Sequence, residues 1–227
     1  MIRRAAVLLG AAQLLWLGGL ATCLASPPVH LAGTGCVADT IGLDPSIWTT
    51  GRGTFLGRAL GQTFLAVDTV ITRITVWRPP NIIDVVGAHL FVTTVDTTRV
   101  PPRPVTQGIL QDGPTVTIRD SDPPGQLIRM DFVIEPPLKL PRPGLYAFFI
   151  QREGCDAGET RLIASDANPY PYGIYWITGR VISPPCALAP VDGGEDYTDL
   201  IFQIEFCDTH ATPVRARTWG EVKQLYR

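Results

Sequence analysis

The chain has little histidine, the side chain that enzymes use most often for acid–base catalysis. Its 227 residues include only three histidines, His30, His89 and His210, and these are far apart in the sequence. The Gly-x-Ser-x-Gly motif of many serine hydrolases is absent. Asp131 and Glu135 could form a glycosidase-like carboxylate pair, but strand alternation places both on an outward face. The sequence therefore predicts a protein without catalytic activity, and a small glycan-active enzyme is the least favoured alternative.

Extended runs of basic residues are also absent. The formal net charge is −2, and no stretch of lysines and arginines offsets it. Because neutralising phosphates requires a basic surface, the chain is not expected to bind nucleic acid. An anionic polymer is disfavoured as a ligand for the same reason.

A long apolar run occurs at the N-terminus. The basic pair Arg3-Arg4 precedes apolar and small residues from Ala5 to Ala25, and two prolines follow shortly after. This pattern predicts that residues 1–25 are a secretory signal peptide, so the protein is expected to be secreted or held at the cell surface. No basic stop-transfer cluster follows, so no membrane span is expected after signal removal. A lipoprotein anchored through Cys23 is a less favoured alternative, because the lipobox requires Gly, Ala or Ser where this chain has Thr22.

Four cysteines would remain after signal removal: Cys36, Cys155, Cys186 and Cys207. Four cysteines in an exported protein suggest two disulfides, and spacing alone leaves three pairings open. We favour Cys155–Cys186, which would clamp the irregular region between two late strands. Cys36–Cys207 would then fasten the N-terminal segment to the last strand. A four-cysteine zinc site is not favoured, because no Cys-x-x-Cys motif occurs.

The remaining sequence has the pattern of a β protein, with almost no helical periodicity. Its 21 prolines and 22 glycines fall mainly between short apolar stretches. Strand-like alternation occurs in four segments, Val70–Trp77, Ala88–Val95, Ile128–Glu135 and Leu200–Phe206. In the third segment Ile128, Met130, Phe132 and Ile134 are expected to face the core, and Pro136-Pro137 is expected to end the strand. The segment from Asp96 to Gly125 is expected to hold one or two short edge strands. These signals predict an all-β, antiparallel β-sandwich of the jelly-roll type in a single domain.

The predicted jelly roll spans residues 54–207. Residues 26–53 form an N-terminal segment that joins it, and residues 208–227 form a tail of different composition. Thr218 is a candidate N-cap for a short amphipathic helix in this tail, and a disordered tail is the alternative. The tail is expected to dock on the sandwich or to serve as a sorting or attachment signal after export.

Six short motifs follow one another along the predicted sandwich. These are Gly61-Gln62-Thr63-Phe64, Ile74-Thr75-Val76-Trp77, Met130–Ile134, Leu138–Tyr146, Tyr170-Pro171-Tyr172-Gly173 and Asp199-Leu200-Ile201-Phe202. Their order resembles that of secreted bacterial jelly-roll domains related to carbohydrate-binding modules and galactose-binding-like sandwiches. The motifs describe turns and core positions, so the resemblance implies the fold more directly than it implies carbohydrate binding.

Aromatic residues are densest in one late segment, which contains Tyr170, Tyr172, Tyr175 and Trp176. Sugars are bound by exposed aromatic faces beside planar polar groups, so these four residues are the candidate ligand-binding set. The alternative is that Trp176 faces the core and the tyrosines cover a loop.

Carboxylates are densest around Gly193-Gly194, where Asp192, Glu195, Asp196 and Asp199 follow closely on one another. Hard oxygen ligands of this kind could hold calcium, but no Asp-x-Asp-x-Asp-Gly spacing occurs. A solvated acidic turn without a cofactor is favoured, and a calcium site is the alternative.

These observations together predict an exported, non-enzymatic module that binds a glycan or cell-surface polymer. The alternative is a structural or adhesive envelope component that contacts other protein chains.

Overall fold

A computed structural model describes residues 37–54, 57–80, 86–118, 126–155 and 159–208. These residues form thirteen strands and two short 3-10 helices, Pro45–Ile47 and Glu153–Cys155, with no α-helix among them. The predictions of a signal peptide, of roles for Cys23 and Cys36, and of a tail helix fall outside the described residues. Within them, the predicted all-β, antiparallel fold in a single domain is confirmed.

The first of two large sheets has four strands. In chain order they are β1 (Val37–Gly42), β4 (Val70–Arg78), β7 (Ile128–Lys139) and β13 (Phe202–Asp208), and in space they lie in the order β1-β13-β4-β7. Alternating residues of β7 point inward as predicted, since Met130, Phe132 and Ile134 are all buried.

The second large sheet has six strands. They are β3 (Ala59–Ala66), β5 (Val86–Asp96), β6 (Arg103–Ile118), β8 (Gly144–Arg152), β10 (Tyr175–Thr178) and β11 (Val191–Glu195), in the spatial order β11-β10-β3-β8-β5-β6. A small third sheet consists of β2 (Thr50–Thr54), β9 (Thr160–Ser165) and β12 (Asp199–Leu200). Its middle strand, β9, contributes Leu162 and Ile163 to the central core.

The central core lies between the two large sheets and is rich in phenylalanine. Phe148 of the six-stranded sheet contacts Phe202 of the four-stranded sheet, with ring centroids 5.4 Å apart. Phe64 and Phe132 are likewise fully buried in this core. Burying one such side chain contributes about 1.5–3 kcal/mol. The inward residues of both sheets thus hold the sandwich together.

Two strands run further than the sequence indicated. The prediction that Pro136-Pro137 ends a strand is wrong, because β7 continues to Lys139. A register shift between Ile71 and Arg73 of β4 leaves these prolines without a ladder partner, so their missing N–H groups break no pairing. β6 is the expected edge strand of the Asp96–Gly125 segment, but it is 16 residues long and its pairing with β5 shifts register three times.

Three of the motifs found in the sequence meet inside the sandwich. Gln62 donates from Nε2 to Asp199 (2.7 Å), and its Oε1 accepts from the Leu200 backbone N–H (3.0 Å). The other carboxylate oxygen of Asp199 accepts from the Tyr170 backbone N–H (2.8 Å). Burial raises the pKa of Asp199, although both hydrogen bonds oppose this effect. Asp199 therefore joins β12 to β3 and to the loop that contains Tyr170.

Candidate functional site

The outer face of the six-stranded sheet carries a row of rings and glycines. Strand register places six residues side by side across all six strands: Gly194, Trp176, Gly61, Phe149, Phe91 and Asp112. Directly paired residues of neighbouring strands project to the same face. Trp176, Phe149 and Phe91 accordingly belong to a small apolar cluster that is separate from the central core.

Glycines make this row possible, because the rings lie over them. A Cβ at Gly194 would stand 2.8 Å from both Cε3 and Cζ3 of the Trp176 indole. A Cβ at Gly61 would overlap the Phe149 ring and the backbone carbonyl of Phe148. Both glycines are therefore required for close ring packing on this face.

A loop crosses the same face between β10 and β11. This segment, residues 179–190, is called the strap below. Its Leu188 is buried in the outer apolar cluster, and the Gly179 N–H donates to the Pro190 carbonyl at its base (2.8 Å). The predicted Cys155–Cys186 disulfide is confirmed and ties the strap to the end of β8, with a Cα–Cα distance of 5.3 Å.

Cys207 in β13 is also disulfide-bonded and buried. The predicted partner, Cys36, lies outside the described residues, so that pairing stays a prediction. In the described part of β1, Ala38 pairs with Cys207 and Val37 pairs with Asp208.

A groove of about 690 Å³ opens on one part of the outer face and is called the Trp176 groove below. Ile174 and Trp176 form its apolar floor. One wall is formed by the turn between β5 and β6 and by the start of β6, and it contains Arg99, Val100, Pro101 and Arg103. The other wall is formed by β11 and the turn after it, and it contains Asp192, Gly193, Gly194 and Asp196. The Gly193-Gly194 pair leaves this second wall low, since neither residue has a side chain.

Most charged groups of the Trp176 groove are held by neighbours. Arg99 pairs with Asp96 at 3.2 Å, and Asp192 pairs with Arg58 at 3.1 Å. Arg103 donates to the Val191 carbonyl at 2.6 Å, which links β6 to β11. Asp196 is exposed and makes no ion pair among the described residues. The groove thus places donors and acceptors on opposite sides of an apolar floor.

A second pocket, of about 360 Å³, lies beside the strap and is lined by His89, Phe91, Asp112 and the strap residues Pro185–Leu188, among others. His89 lies within hydrogen-bonding distance of Thr115 through Nδ1 (2.7 Å) and of Asp112 through Nε2 (2.6 Å). The His89 ring also packs on Phe91, with centroids 4.7 Å apart. Both ring nitrogens of His89 therefore have hydrogen-bond partners within the sheet, which favours a structural role for this residue.

The four predicted ligand-binding aromatics do not form one surface. Tyr172 is 62% exposed, whereas Tyr170, Tyr175 and Trp176 are buried. Tyr170 accepts from the Leu65 N–H through its hydroxyl (3.0 Å) and packs edge-on against Phe202. The expectation of a shared aromatic platform is corrected accordingly.

Strand geometry explains this separation. Tyr175 and Trp176 are consecutive in β10 and therefore point to opposite faces. Tyr175 enters the central core, where burial raises its pKa, and Trp176 lies on the outer face as the groove floor. Of the four, Trp176 alone lines the Trp176 groove.

The four predicted calcium ligands also diverge. Asp192 and Glu195 pair with different arginines, Arg58 and Arg52, and Asp199 is bonded to Gln62 in the core. No group of three or more His, Cys, Asp or Glu side chains suited to a metal occurs among the described residues. Arginines and core donors engage three of the four carboxylates, so the four do not converge at this turn, and calcium binding stays a prediction.

Arg99 and Arg103 were not among the predicted site residues. Both belong to the segment in which only short edge strands were expected, and they meet β11 only because β5 and β6 form a long hairpin. The Asp96, Thr98 and Arg99 side chains are linked at its tip, where Asp96 accepts from both neighbours. An Asp followed by Thr and Arg is a local turn signal that could have located the tip.

Comparison with protein-family models finds no match, and no curated protein is significantly similar to this chain. In the part of the chain that the structure describes, no helix is long and apolar enough to cross a membrane.

Proposed function

We propose that the protein is an exported, non-enzymatic module that binds a glycan or cell-surface polymer in the Trp176 groove. The observation that carries this proposal is the combination of an apolar floor, Ile174 and Trp176, with arginine on one wall and aspartate on the other. Sugar rings present apolar C–H surfaces together with hydroxyls that both donate and accept hydrogen bonds. A groove of this composition matches both properties.

The size of the groove also supports this proposal. Its volume of about 690 Å³ lies within the range of roughly 300–1,000 Å³ that is usual for small-molecule sites. Val100 on its rim is 98% exposed, so the groove opens to solvent and could admit part of a longer polymer. Export is supported by the Cys155–Cys186 disulfide, since such bonds persist mainly in oxidising compartments.

The alternative of an envelope component has less support from the strand edges. Strand addition requires a flat edge with regular spacing, but the long edge strand β6 is interrupted by register shifts. The opposite edge, β11, is short and carries Asp192 and Glu195. Bulges and charges of this kind discourage pairing with another chain.

The proposal is tested by screening the disulfide-bonded protein against a panel of polysaccharides. We expect saturable binding that the double variant Val100→Ala, Asp196→Ala weakens by about tenfold or more, because a hydrogen bond to a charged group contributes about 1.5–3 kcal/mol. Both residues are exposed, so the variant should remain folded.

The matched control is Tyr172→Ala, which removes an exposed aromatic side chain outside the groove and should leave binding unchanged. Absence of binding to every polymer would overturn the proposed function. Binding that is lost in Tyr172→Ala and retained in the groove variant would instead place the site at Tyr172.

A further inference from the structure

The charges of the Trp176 groove balance. Its charged lining residues are Arg99, Arg103, Asp192 and Asp196, and the ion-pair partners of these residues, which lie outside the groove, are Asp96 and Arg58. The groove and these partners together contain three arginines and three aspartates. The overall composition does not require the groove to be neutral, because a chain with a small net charge can still carry strongly basic or acidic patches.

The two groups with the most freedom to meet a ligand lie on opposite walls. Arg103 is held only by a backbone carbonyl, that of Val191, and Asp196 makes no ion pair among the described residues. An anionic group that approached Arg103 would also approach the carboxylates of the facing wall. A cationic group that approached Asp196 would meet the arginines in the same way.

We infer that the ligand of the Trp176 groove is a neutral glycan, whose hydroxyls accept from the arginine wall and donate to the aspartate wall. This inference rests on the proposed function and specifies its ligand class. A hydroxyl group suits both walls because it has one donor and two acceptor positions. The carboxylate of a uronic acid would be repelled by the aspartate wall, and the ammonium group of an amino sugar would be repelled by the arginine wall. Neutral sugars therefore match the electrostatics of the groove.

A neutral ligand in a neutral groove gains little from long-range Coulomb attraction. Its affinity should consequently change by less than about twofold between about 0.05 and about 0.5 M NaCl. An anionic polymer bound through arginines would instead lose affinity steeply as salt rises.

The test compares the full, disulfide-bonded protein on three groups of polymers: a set of neutral polysaccharides (β-glucan, mannan, galactan and xylan), anionic alginate, and cationic glycol chitosan. Affinity electrophoresis and calorimetry at both salt concentrations measure binding. We expect salt-insensitive binding to at least one neutral polymer and at least about tenfold weaker binding to the charged polymers.

The sharpest variant is Asp196→Lys, which makes the groove cationic. We expect about tenfold weaker binding of the neutral polymer and a gain of salt-sensitive alginate binding. Asp39→Lys is the matched control, because Asp39 is an exposed residue of β1 in the other sheet and the net charge changes equally. That control should behave like the unmodified protein.

The possible outcomes separate the two proposals. Preferential, salt-sensitive binding of alginate or glycol chitosan by the unmodified protein would overturn the inference of a neutral ligand while leaving the proposed function intact. Equal gains of alginate binding in Asp196→Lys and Asp39→Lys would also overturn it, because net charge would then explain the effect. Failure to bind any polymer overturns both proposals.

Discussion

The two faces of the six-stranded sheet are built from the same strands but are buried in different ways. Its inner face packs on a second sheet through phenylalanines such as Phe64 and Phe148. Its outer face holds fewer rings, packs them over glycines, and is covered by a disulfide-tied strap. The inner face leaves no room for a ligand, whereas the partly covered outer face retains the groove. The core that stabilises the sandwich and the groove proposed to bind a ligand therefore lie on opposite sides of one sheet.

The consecutive residues Phe148 and Phe149 test this comparison most strongly. Both are fully buried, one on each face. Phe148→Ala should lower the free energy of unfolding by about 3–5 kcal/mol, because two sheets cannot close around the cavity. Phe149→Ala should cost less, about 2–3 kcal/mol, because the strap can settle into the space. Urea unfolding of both variants measures the difference, and equal losses would show that the outer face is packed as rigidly as the core.

The strap provides the second test. The double variant Cys155→Ser, Cys186→Ser should lower the free energy of unfolding by about 2–4 kcal/mol, since the disulfide closes a loop with a sequence separation of 31. Trypsin should also cut after Arg180, an exposed residue of the strap, faster than in the unmodified protein. If stability falls but cleavage after Arg180 does not accelerate, Leu188 rather than the disulfide holds the strap in place.

The third and smallest effect concerns the two glycines of β11. Gly194→Ala should cost about 1–3 kcal/mol, because the added methyl group would meet the Trp176 indole at 2.8 Å. Gly193→Ala is its matched control, since the nearest atom to the added Cβ is 3.9 Å away, and its effect should stay within about 0.5 kcal/mol. Thermal unfolding distinguishes them, and similar midpoints for both variants would show that the indole can move away from the strand.

Much of the fold follows from local alternation in the sequence. The predicted strand Ile128–Glu135 and its inward face, Met130, Phe132 and Ile134, are confirmed because period-two burial is a property of neighbouring residues. The extension of β7 past Pro136 was missed because it depends on a bulge formed with β4, which is distant in the chain. The aromatic site was misjudged because sequence proximity in a strand separates side chains onto opposite faces, as Tyr175 and Trp176 show.

Residue types and short-range periodicity specify the all-β class, the main strands and the inward face of β7, whereas three disulfide pairings stayed open until the structure showed Cys155–Cys186. Only the tertiary structure decided which charged residues meet over Trp176. Arg99 and Arg103 lie about ninety residues before Asp192 and Asp196 in the chain. They belong to the β5–β6 hairpin, and β6 and β11 are opposite edges of the six-stranded sheet, yet the folded chain brings Arg103 to the Val191 carbonyl. Strand pairing over such separations depends on the whole set of packed faces, so a local pattern does not encode it.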